Sequence, residues 1–286
     1  MSFVIILVLF FVGGALFELA RSWGSLAQQW RTTRDTESAA SAERILKDRK
    51  RVLASEEPPA LADTREFSFR GFEYYDRAQA AFEALGFTML GDFALDHAAW
   101  MRPGARTFLR CGRSRDREVV CSIIDATRYP IGFSAYEKVH FYLGGGHRRN
   151  LKGISLRTEL TDGRFLITST DIDIAKEEQP PEVSKETMPL RTSAAELLER
   201  HRGRVARAIA GSGVSVVPIG TVEEHGQSWV RHSRIARAWR EKIGYALTQK
   251  EQRDFVGSSS PLNRDMADSM IESMRAMEDR ERRRAS

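Results

Sequence analysis

An α+β fold behind a single membrane-spanning helix is the class this sequence predicts, and three observations predict it. Phe3 to Phe17 (FVIILVLFFVGGALF) runs without one polar side chain. Between residues 87 and 170 several short segments alternate apolar and polar residues, with brief connections that favour antiparallel neighbours. Helical spacing of apolar residues returns on both sides of that region. With 286 residues, 42% of them hydrophobic, the chain is long enough for one large domain or two small ones. The same figures exclude a disordered chain, a collagen-like repeat and, with two cysteines, a disulfide scaffold.

The first element is the anchor, residues 1–20. At about 1.5 Å per residue, twenty helical residues cover roughly the 30 Å of a bilayer interior. Phe3, Ile5, Leu9, Phe11 and Leu16 face lipid in this reading, and Trp23 sits at the interface beside Arg21. A cleaved signal peptide is the poorer reading, because no positive charge precedes Phe3 and no small-residue cleavage site suits it. A buried soluble helix is poorer too, since such helices are rarely apolar all round. Arg21, Arg31 and Arg34 follow the span, so the positive-inside rule predicts a single-pass protein with its C-terminal bulk in the cytoplasm. Of 44 Lys and Arg only 8 are Lys, a bias that points to a GC-rich bacterial genome and so to a bacterial inner membrane.

Residues 21–60 read as a charged helical connector. Its basic cluster, Arg44, Lys47, Arg49, Lys50 and Arg51, looks lipid-binding. A straight helix, however, carries Lys47 on the order of 40 Å from the membrane, well past a Debye length of about 8 Å. A solvated stalk is the expectation. Pro58 and Pro59 then break the helix.

Residues 61–222 read as the α+β core domain. A helix near Tyr74–Leu85 ends at Gly86, where a helix-terminating glycine belongs. Strands follow at Phe87–Leu95, Arg106–Cys111, Glu118–Asp125, Tyr136–Leu143, Ile154–Leu160 and Arg164–Thr170, the last two joined by an Asp162-Gly163 turn. The proline-bearing stretch Glu177–Pro189 is expected to be a loop. Ser193 with Glu196 opens a helix as a capping box, and Val214–Ile219 adds a short strand. Residues 223–249 form an amphipathic helix with Trp229, Ala236, Trp239, Ile243 and Leu247 as its apolar stripe. Residues 250–286 read as a polar tail, partly disordered or helical from Pro261, and mobile at its arginine-rich end.

No motif for nucleotide, zinc or acyl-transfer chemistry occurs, so no catalytic residue, metal ligand or cofactor is assigned. Six histidines are scattered, and no two stand at i, i+4. The best ligand-binding candidate is the loop at 144–149. There Gly145 and Gly146 let backbone N–H groups approach an anion, with His147, Arg148 and Arg149 beside them. No helix signal follows it, so a plain strand connection competes. Asp171 and Asp173 read as solvent-facing carboxylates, and Cys111 and Cys121 as small buried hydrophobes on paired strands. Lys138, His140 and Tyr142 line one polar strand face, but without an RNA-binding signature, so nucleic acid is not an expected partner. The expectation for function is a membrane-anchored, non-enzymatic binding or scaffold module, with the bilayer and an unidentified protein as its partners. The alternative is a tethered enzyme or anionic-ligand sensor using the 144–149 loop.

Overall fold

The computed structural model describes residues 57–68, 71–95, 107–125, 127, 152–170, 178–246, 248, 251 and 261–285, together with Ala42, Glu43, Leu46, Lys47 and Lys50. Within them the fold is α+β, a six-stranded mixed sheet with four helices. In chain order these are α1 (Glu73–Ala84), β1 (Thr88–Ala94), β2 (Phe108–Arg113), β3 (Val120–Asp125), β4 (Lys152–Glu159) and β5 (Phe165–Thr170). Then come β6 (Val183–Met188), α2 (Ala194–Ile209), α3 (Val222–Ile243) and α4 (Pro261–Ala285). The strands lie side by side in sequence order; the first four pairings are antiparallel and β5 with β6 is parallel. Among the described residues no helix is long and apolar enough to cross a membrane. The expected anchor, with Phe3, Ile5, Leu9, Phe11, Leu16 and Trp23, lies outside them.

Alternation gives the sheet two different faces. Phe108, Cys121, Ile123 and Leu156 point to one face and meet Tyr75, Ala78 and Phe82 of α1 and Leu197 and Leu198 of α2. Tyr75 centres this core. Its ring stacks on Phe108 with centroids 4.4 Å apart, while its hydroxyl donates to Phe108 O (3.1 Å) and accepts from Asp125 N (2.9 Å). A tyrosine can be fully buried here because its one polar atom is satisfied twice. On the other face Phe93, Leu109 and Cys111 pack with Ile124 and with Val222 and Trp229 of α3.

Local chemistry sets the element ends. Gly86 takes φ +84° just after α1 and Gly163 takes φ +86° in the β4–β5 turn, conformations a side chain would strain. Capping boxes start two helices. Ser193 Oγ accepts from Glu196 N (3.2 Å) at α2, and Thr221 Oγ1 accepts from Glu224 N (3.2 Å) at α3, each glutamate reaching back to the cap backbone.

Two expectations need correction. Glu177–Pro189 is not a loop throughout, because Val183–Met188 forms the parallel strand β6. As a neighbour of β5 alone, β6 has mostly exposed or half-exposed side chains, so its sequence lacks a hydrophobic signature. Arginines of α2 hold it instead, with Arg200 on Glu186 (2.7 Å) and Arg204 on Ser184 O (2.7 Å). Val214–Ile219 makes only an isolated bridge, Val216 to Leu160. The helix expected from Pro261 is present as α4, which continues through the arginine-rich end to Ala285. The helical residues Ala42 and Leu46 pack with Met274 of α4 and with Ala246, and Lys50 pairs with Glu281. The predicted strand Tyr136–Leu143 lies outside the described residues.

Candidate functional site

Helix α3 brings an unusual set of side chains against the sheet. His225, Ser228 and His232 stand at i, i+3 and i+7, within one face of the helix and in phase with Trp229 and Trp239. His225 and Ser228 are fully buried. Among the described residues, His225 Nε2, Ser228 Oγ and His232 Nε2 are buried atoms without a hydrogen-bond partner, and so is Trp239 Nε1. Each such orphan costs about 1–3 kcal/mol, and native proteins keep few of them.

Below this stripe lies Arg157 of β4, only 9% exposed. Its guanidinium carbon sits 5.7 Å from the Trp229 ring and 6.0 Å from that of Phe165. One nitrogen, Nη2, lies 3.4 Å from His225 Nδ1. Arginine has only donors, so Nδ1 accepts, and the neutral His225 ring carries its proton on the unpartnered Nε2. Among the described residues no carboxylate pairs with Arg157. Its neighbour Glu159 is held by Arg231, with Oε2 2.9 Å from Nη2. Burial lowers the Arg157 pKa. Burial, with the Arg157 charge, also holds His225 at about 3 and His232 at about 4. The rings of His225 and His232 pack against Phe93 and Phe165, with centroids 5.0 and 5.1 Å apart. The seam between α3 and the sheet is therefore rich in donors and net positive.

His201 and Arg204 are better satisfied. On the opposite face, His201 of α2 lies between Thr158 and Thr168 with both ring nitrogens 2.9 Å from a threonine oxygen. An open groove of about 340 Å³ beside β5, β6 and α2 is lined by Arg164, Arg204 and Arg207 with Glu186. Arg204, however, spends its donors on Ile167 O, Thr168 Oγ1 and Ser184. Cys111 and Cys121 lie on paired strands and point to opposite faces, where burial raises their thiols to about 11 and about 12.

Gly145, Gly146, His147, Arg148 and Arg149 lie outside the described residues, as do Lys138, His140, Tyr142, Asp171 and Asp173. The α3 seam was missed in the sequence because the stripe was read from its apolar members alone. The signal was present: His225, Ser228, His232 and Arg240 share the helical phase of the two tryptophans. Compared with known proteins, the chain matches no family model, no curated protein and no solved structure.

Proposed function

We propose that this chain is a membrane-tethered, non-enzymatic binding module whose α+β domain faces the cytoplasm. The observation that carries the non-enzymatic part is how the histidines and cysteines among the described residues are held. General acid–base work favours a pKa near the working pH, and nucleophilic cysteines need access and a lowered pKa. His201, His225 and His232 are instead held at about 3 to 4, and both thiols are buried with raised values. His201 has both ring nitrogens hydrogen-bonded. Such groups recognise and position. They do not shuttle protons at neutral pH. The tether rests on the apolar run Phe3–Phe17, and the orientation on Arg21, Arg31 and Arg34 after it.

The test is fractionation of two forms of the chain, each with a reporter after Ser286. The full chain is expected in the membrane pellet after a high-salt wash, with cytoplasmic reporter activity. Deletion of Met1 to Ala20 is expected to move it to the soluble fraction. A deleted form that stays with membranes through high salt, or a reporter active outside the cytoplasm, overturns the tethering reading. Salt separates screened charge attraction from apolar insertion.

A further inference from the structure

We propose that the seam between α3 and the sheet binds a small oxyanion group, a carboxylate or a phosphate, through Arg157 and Ser228. The inference rests on the binding-module reading and adds the ligand class to it.

Three observations lead there. The Trp229 and Phe165 rings lie 5.7 and 6.0 Å from the Arg157 guanidinium carbon, within cation–π reach, and the guanidinium N–H donors remain available to acceptors. Among the described residues only His225 Nδ1 meets them, at a long 3.4 Å. On the same face of α3, Ser228 Oγ–H is a buried donor with no acceptor among the described residues, whereas His225, whose Nδ1 faces Arg157, turns its Nε2–H away from the guanidinium. The nearest anionic side chain on the same strand, Glu159, is taken by Arg231. A seam that presents donors around an unneutralised guanidinium is complementary to a compact anion with several acceptor lone pairs. With Arg157 only 9% exposed, the group that enters must be small. The rings of Trp229, Phe165 and Phe93 lower the local polarity, which strengthens a charged hydrogen bond made between them.

The test uses the full chain, purified in detergent in a chloride buffer, with calorimetric titration of inorganic phosphate and, separately, of acetate at constant ionic strength. Wild type, Ser228→Ala and Arg157→Met are compared. Alanine fits the serine site and removes a buried hydroxyl that has no partner, so Ser228→Ala is expected to fold at least as well as wild type. Saturable binding of at least one anion is expected in wild type, weakened about tenfold or more by Ser228→Ala and abolished by Arg157→Met. If Arg157→Met does not fold, Ser228→Ala alone decides. The anion that saturates identifies the source as carboxylate or phosphate, and saturation by both supports the shared chemistry. Binding of equal strength in wild type and Ser228→Ala places the anion elsewhere and overturns the proposal. No saturable binding of either anion also overturns it and leaves the seam's donors to buried water. Neither failure touches the tethering result, which is read by fractionation.

Discussion

His201 shows how one buried polar residue is made harmless. Arg204 Nη1 donates to Thr168 Oγ1 (2.7 Å), and Thr168 can then donate only onward, to His201 Nδ1 (2.9 Å). On the other side Thr158 Oγ1 donates to Glu118 O (2.7 Å), so it accepts from His201 Nε2–H (2.9 Å). The direction of every proton in this chain is fixed by its two ends, an arginine that only donates and a carbonyl that only accepts. Replacing Thr168 by Val keeps the shape but leaves His201 Nδ1 buried and without a partner. The expected loss is about 2 kcal/mol, read as a lower urea midpoint with unchanged slope. A loss below about 0.5 kcal/mol would mean the chain of bonds contributes little beyond packing. The seam under α3 is built from the same residue types without that closure. The contrast between a satisfied and an unsatisfied histidine is what separates core from candidate site.

At the scale of elements, the signals that were legible in the sequence are the local ones. Ser193 with Glu196 starts α2, and Asp162-Gly163 turns β4 into β5, because each needs only neighbours a few residues away. Ser193→Ala is accordingly expected to cost about 1 kcal/mol in chemical denaturation, since it strips the Glu196 N–H of its acceptor. What stayed hidden depends on distant partners. β6 reads as polar loop because its stabilising contacts come from arginines of α2 a dozen or more residues on. His225, Ser228 and Arg240 of α3 share the helical phase of the tryptophans and are buried with them, but a stripe counted in apolar residues alone passes over them. Arg240 is neutralised by Glu251, which also accepts from Glu178 N (2.7 Å) and Thr248 N (2.9 Å), a tie between three separate segments that no local pattern announces.

For the whole molecule, the buried His201 and His225 and the half-buried His232 make stability depend on pH in a definite direction. Unfolded, each takes up a proton near its ordinary value of 6.5; folded, burial holds His201 and His225 at about 3 and His232 at about 4. Positive neighbours add to the burial: Arg204 for His201, Arg157 for His225, and Arg157 with Lys185 for His232. Between those limits the unfolded chain binds more protons than the folded one, so stability falls as the pH falls. The contribution is complete above about pH 6.5 and is lost progressively down to the folded values. Each histidine supplies a slope of up to about 1.4 kcal/mol per pH unit in that window, and the three together about 4. A domain typically holds 5–15 kcal/mol, so a drop of two pH units is enough to consume much of it. Carboxylates lowered by their hydrogen bonds, such as Asp116 and Glu186, act nearer their own ordinary values of 3.8 and 4.5 and leave pH 5 to 6.5 to the histidines. Urea midpoints measured from pH 7.5 to 5 are expected to fall steeply. His232→Gln, which does not titrate, should flatten the curve by about a third of the histidine slope. A midpoint that holds level down to pH 5 would show that these rings are protonated in the folded chain, and with that the donor and acceptor assignments of both histidine clusters would fail.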